Sequence, residues 1–73
     1  MKNITFSSAR IRGTSEEIEM TIFIDNITAV LSAGASSENA NHSLVRLSCG
    51  LEIIVDINNE DLLQNLESTY YTN

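Results

Sequence analysis

Apolar and polar side chains alternate with a period of two along Glu17–Asp25. Ile18, Met20, Ile22 and Ile24 fall on one face, and Glu17, Glu19, Thr21, Phe23 and Asp25 on the other. That period predicts a strand with one face in the core. Phe23 is the apolar exception on the polar face, and a partner subunit or a packed hairpin is expected to cover it. Ile4-Thr5-Phe6-Ser7 alternates in the same way, and Ile11 extends the pattern, so Asn3–Arg12 reads as an opening strand. Gly13-Thr14-Ser15-Glu16 is a turn or short loop. Asp25-Asn26 breaks the second run. Ile27–Ser32 resumes it, with Ile27, Ala29 and Leu31 set against Thr28 and Val30, as a third strand; a short helical turn at Asp25–Thr28 is the competing reading. Ala33–His42 has almost no apolar anchors and is expected to be a flexible loop within one domain.

The second half predicts a hairpin and a helix. Ser43–Leu47 and Leu51–Ile57 read as strands around Ser48-Cys49-Gly50. A two-residue Cys49-Gly50 turn would pair Leu47 with Glu52 and mix apolar with charged side chains on each face. A three-residue turn pairs Leu47 with Leu51 and Val45 with Ile53, and puts Gly50 in the left-handed conformation such a turn needs. One face then carries Val45, Leu47, Leu51, Ile53 and Val55. The other carries Leu44, Arg46, Glu52, Ile54 and Asp56, with Arg46 opposite Glu52. Leu44 and Ile54 make this second face a candidate for contact with another layer or subunit. Glu60–Tyr70 reads as an amphipathic helix capped by Asn58 or Asn59. Glu60 and Asp61 complement its dipole, Leu62, Leu63, Leu66 and Tyr70 form its apolar stripe, and Tyr71 and Asn73 fray. The fold class that follows is α+β, mainly β: four to five antiparallel strands with one C-terminal helix packed on the sheet, in a single small domain over residues 1–73.

Length and charge narrow the function. A chain of 73 residues buries only about 60% of its unfolded surface, so association with other chains is one expected source of stability. Cys49 is the only cysteine, which excludes an internal disulfide, and Cys49 with His42 is too small a set for structural zinc. The formal net charge is −6, and Lys2, Arg10, Arg12 and Arg46 are the only basic side chains. They are too few to track a phosphate backbone, so direct nucleic-acid binding is not expected. The acidity serves solubility or meets a basic partner. No apolar run reaches the 18 or so residues of a membrane span. With one free cysteine and no leader pattern after Lys2, a cytoplasmic, reducing location is the expectation. Three Asn-x-Ser/Thr triplets, at Asn3, Asn26 and Asn41, are read as chance in a chain rich in these residues.

No catalytic, cofactor or metal motif emerges, and the chain is read as a non-enzyme. Asp56–Glu67 has the length of a calcium loop, but Asp61 stands where a sharp turn needs glycine, and helix capping explains the same residues. Cys49 at a hairpin tip would need a base, and His42 is the only histidine. Glu16-Glu17 is read as a solvated turn. Arg10 and Arg12 point the same way from one strand. They can grip an anion, or balance Glu16, Glu17 and Glu19 on the adjoining strand. The binding candidates are therefore Arg10, Arg12, Phe23, Arg46 and Ile54.

The block His42–Asp56, with its Leu47-Ser48-Cys49-Gly50 turn, followed by Asn59-Glu60-Asp61-Leu62-Leu63 and Leu66, resembles the end of the FlbD/SwrD-like small flagellar proteins. Ile22–Val30 is similar through Asp25, Ile27 and Val30. The resemblance implies strand, turn, strand and a short acidic-started helix, and a small cytoplasmic accessory protein without catalysis. The chain departs from that pattern at Phe23-Ile24, where the family has Asn-Pro, and at Leu51-Glu52, where it has basic residues.

Three functions are carried forward. The first is a non-enzymatic interaction or adaptor module acting through protein–protein contacts as a homo-oligomer. The second is an acidic inhibitor of phage or mobile-element origin that occupies a basic site on a host defence protein. The third is a small anionic-ligand binder with an inter-subunit pocket lined by Arg10 and Arg12.

Overall fold

The computed structural model describes residues 2–32 and 42–71. Its elements are β1 (Asn3–Ile11), β2 (Ile18–Phe23), a 3-10 turn (Ile24–Asn26), β3 (Ile27–Ser32), β4 (Ser43–Leu47), β5 (Glu52–Val55) and α1 (Asn59–Tyr71). All strand pairs are antiparallel, so the architecture is the α+β, mainly β class, with five strands and a C-terminal helix. The loop expected over Ala33–His42 lies outside the described residues except for His42.

The sheet order is β2-β1-β5-β4-β3, which makes β2 and β3 its two edges. Yet only the 3-10 turn separates them in sequence. Four residue steps from Phe23 to Ile27 reach at most ~14 Å. Four strand spacings across a flat sheet come to about 19 Å. The sheet must therefore coil until its edges approach across a seam. At the start of β3 the Ser48 backbone N–H donates to the Asn26 carbonyl at 2.7 Å, which carries the β3–β4 ladder one step beyond Ile27 and Leu47 and fixes the turn beside the hairpin tip.

Coiling creates a concave and a convex side. Phe6, Ala9, Ile22, Val45, Ile53 and Val55 fill the concave side, and Leu62 of α1 completes this core. Two register shifts aim the side chains. One lies between Phe6 and Ala9 of β1, so Ile4, Phe6 and Ala9 all serve the core although their numbers change parity. The other lies between Ile27 and Ala29 of β3, where Thr28 is the extra residue. This overturns the simple alternation expected there. Ile27 and Val30 pack on the core, while Ala29 and Leu31 sit on the side of Arg46 and Leu44. A bulge shifts the period by one residue, which no run of alternating letters reveals.

The hairpin has the three-residue turn. Leu44 opposes Ile54, Val45 opposes Ile53 and Arg46 opposes Glu52, and the Leu47 N–H donates to the Leu51 carbonyl at 2.9 Å. Gly50 has φ +92°, where a Cβ is disfavoured. The β1–β2 loop turns on Gly13, also at φ +92°. There the Thr14 N–H closes a four-residue turn on the Ile11 carbonyl at 2.9 Å.

Strand and helix ends differ from the alternation-based expectation. β2 stops at Phe23 rather than Asp25, because Ile24–Asn26 bends into the 3-10 turn that lets β3 cross to the other edge. The expected helical turn thus exists, one residue earlier than Asp25–Thr28, and β3 follows it. β5 is shorter than Leu51–Ile57. In α1 the buried stripe is centred on Leu62 and Leu66; Leu63 is 53% exposed and Tyr70 about half exposed, so neither belongs to it. Leu63 lies about 100° round the helix from Leu62 and turns away from the sheet. Tyr70 instead meets the Tyr71 ring edge-on and lies under the Lys2 ammonium. Tyr71 is still helical.

The start of α1 is fixed by polar contacts. Asn58 Oδ1 accepts the Asp61 N–H at 2.8 Å, capping one otherwise unpaired donor. Ser43, fully buried at the start of β4, donates to the Ile57 carbonyl at 2.6 Å. With its amide oriented to suit its neighbours, Asn59 donates to the Ser43 hydroxyl and the Leu31 carbonyl and accepts the Ser32 N–H. These bonds tie the helix N-terminus to β3 and β4 and set Leu62 over the core.

Candidate functional site

Opposed residues in an antiparallel pair point to one side, so the convex face can be read as cross-strand rows. Leu31, Leu44, Ile54 and Arg10 form one row across β3, β4, β5 and β1. Ala29, Arg46 and Glu52 form the next, and Arg12 extends it by donating its N–H to the Glu52 carbonyl at 2.9 Å. At the far end of the hairpin, His42 Nε2 lies 3.0 Å from Asp56 Oδ1. Four of the five sequence candidates, Arg10, Arg12, Arg46 and Ile54, thus converge on one face. Phe23 shares that side by register but stands opposite Asn3, at the other end of β1 from Arg10, where β2 ends at the seam.

Convergence changes the chemistry expected of them. Arg46 Nη2 and Nε reach Glu52 Oε2 at 2.8 and 3.2 Å, and Arg12 Nη1 reaches Oε1 at 3.0 Å. One carboxylate sits between two guanidinium groups. The Arg46 bonds, then those of Arg12, hold its pKa below the ordinary carboxylate range. Arg12 therefore balances Glu52 rather than the acids of the adjoining strand. Arg10 Nη1 donates to the Thr14 carbonyl at 3.1 Å, and Glu17 takes the Ser8 hydroxyl at 3.0 Å. Any added anion would compete with Glu52. Ile54 is 2% exposed and packs on Leu44. The apolar pair of the second hairpin face is thus buried within the chain, while Arg46 and Asp56 beside it stay exposed, and Ile54 offers no surface for contact.

Two further concavities are grooves. One, of about 390 Å³, runs between β1 and α1 among Thr5, Ser7, Ser8, Asn65, Ser68 and Thr69. The other, of about 360 Å³, lies at the seam beyond β2. Its walls are Met20, Ile22 and Phe23 on one side and Leu47, Cys49 and Leu51 at the hairpin tip on the other, with Asn26 at one end. Phe23 is 44% exposed here. Cys49 is an exposed free thiol, as expected of a hairpin tip. His42, its only possible imidazole partner, stands at the opposite end of β4 beside Asp56. None of the lining residues is charged; the stretch of chain that carries β2, from Gly13 to Ser32, has Glu16, Glu17, Glu19 and Asp25 and no lysine or arginine. The single lysine, Lys2, is drawn to the Tyr70 ring, 5.2 Å from its centroid.

The sequence flagged Phe23 as an apolar residue out of place but missed Met20, Leu47, Leu51 and Cys49 as its neighbours. Those residues meet only because the sheet coils. Among the described residues no group of three or more His, Cys, Asp or Glu side chains is placed to hold a metal ion. No described helix is long and apolar enough to cross a membrane. No family model, no curated protein and no solved structure matches this chain.

Proposed function

We propose that this chain is a non-enzymatic protein-interaction module that receives a basic partner at the seam groove. One observation carries the reading. A 360 Å³ apolar groove opens beside a strand whose flanks hold only acidic charge. Apolar walls supply affinity by burial, at about 25 cal/mol per Å². The acids on the chain segment that carries β2 supply steering and partner choice. An inhibitor that occupies a basic site on a defence protein would be one case of such a module. The flagellar resemblance rests on a strand–turn–strand–helix pattern and contributes no role here.

The test is an amide chemical-shift titration with hexalysine. Shifts are expected along Met20–Phe23 and Leu47–Leu51, fading at about 0.5 M salt as screening shortens the reach of the charges. Shifts confined to Glu60, Asp61 and Glu67 on α1 would sink the reading.

A second reading is the homo-oligomer. Ile11, Ile18 and Leu51 are 38–41% exposed at the end of the concave side that α1 does not reach. A second copy covering them would complete the core. Sedimentation over a wide concentration range separates the two: a persistent monomer favours the basic partner, and a dimer broken by Leu51→Asp favours self-association.

A further inference from the structure

We infer that the basic partner binds as an added β-strand, pairing its main chain with the free edge of β2; this rests on the interaction-module reading above. Among the described residues β2 is hydrogen-bonded on one side, to β1. Its other edge meets no described strand and presents N–H and C=O groups, a template for another strand. The groove lies along that edge, between β2 and the hairpin tip. It supplies the second element of strand addition, a pocket for alternate side chains.

The register of β2 dictates what the added strand must look like. Met20 and Ile22 oppose the core-facing Phe6 and Ile4, whereas Thr21 and Phe23 oppose Thr5 and Asn3 on the other side. A neighbour strand spaced about 4.8 Å away alternates in the same way. Its side chains on the Met20 side enter the groove towards Leu47 and Leu51. Those on the other side stand next to Glu19, Thr21 and Phe23. The matching segment therefore alternates large aliphatic residues with lysine or arginine. Charge complementarity chooses this occupant over a second copy of β2, which would bring its own Glu17 and Glu19 against the same acidic strand. The nearby Thr5–Thr21 hydroxyl contact at 2.8 Å lies on the β1 side of β2 and leaves the outer edge clear.

The probe is a capped heptapeptide alternating lysine with valine and leucine, used with the full chain. Cys49, the only cysteine, lines the groove, so its alkylation by iodoacetamide reports occupancy. The peptide is expected to slow that alkylation and to slow amide exchange on alternate residues of β2. N-methylation of the peptide amides that face β2 removes main-chain bonds while keeping every side chain, and weakens binding about tenfold or more. Exchanging the lysines for glutamate abolishes protection. Glu19→Lys, at an exposed position, weakens binding roughly twofold to fivefold. If the N-methylated peptide protects Cys49 as well as the parent does, strand addition is wrong while the module reading stands. If neither peptide touches the groove, both fail.

Discussion

The two ends of the concave sheet face make an instructive contrast. Both belong to one sheet and both are aliphatic, one resting on β4, β5 and α1 and the other on β1, β2 and the hairpin turn. At one end Val45, Ile53, Val55 and Leu62 are fully enclosed, and a buried serine hydroxyl is satisfied by Ile57 and Asn59. At the other, Ile11, Ile18 and Leu51 keep more than a third of their surface in water. Hydrophobicity does not separate the two sets. The reach of α1 does. A helix of 13 residues is about 20 Å long, and the Ser43–Asn59 tether places it over the covered end only. The covered end holds the fold together, and the open end with its seam is left for contact.

That contrast can be broken most directly at Leu62. Leu62→Ala should cost about 2–5 kcal/mol, read from urea or guanidinium unfolding, because the cavity lies in the enclosed core. A loss below 1 kcal/mol would mean that α1 does not seal that end. Ser43→Ala strips the buried bonds at the helix start and should cost about 1–3 kcal/mol. It should also raise amide exchange in the first turn of α1 before the strands are affected. Gly50→Ala forces a Cβ into φ +92°, with nothing within 4 Å to clash, so the conformational cost of about 1–2 kcal/mol stands alone. At the open end, Ile18→Thr and Leu51→Thr should change stability by no more than roughly 1 kcal/mol. A loss as large as that of Leu62→Ala would show the open end to be core after all.

The smallest effect sharpens the comparison of the concave and convex sides. Glu52 should titrate below the ordinary glutamate range, and Arg46→Gln should move it upward, as read by carboxyl NMR. A depressed pKa in the folded chain stabilises it above the carboxylate's unfolded pKa. That contribution disappears as pH falls through the lower, folded value. An unshifted Glu52 would mean that the Arg12–Glu52–Arg46 row does not persist in solution.

Much of this architecture was legible in the order of residues. The hairpin register followed from side-chain pairing around Gly50, because only a three-residue turn keeps Val45, Leu47, Ile53 and Val55 together. The helix start followed from Asn58 and the acids behind it. What could not be read was parity across a bulge. Thr28 shifts β3 by one, and the irregularity after Phe6 does the same to β1, because an inserted residue leaves no compositional trace. Nor could Leu63 and Tyr70 be excluded from the helix stripe, since a stripe's width is set by the surface beneath it.

The linear chain alone determined the strands, the turn glycines, the cap and the acidic balance, all of which depend on neighbours within a few residues. Only the folded molecule decided that β2 and β3 become opposite edges, that Arg12 and Arg46 share Glu52, and that Phe23 and Leu51 line one groove. Those pairings join residues far apart in sequence. They arise because a three-residue turn is too short to span a flat five-stranded sheet, so the sheet must coil.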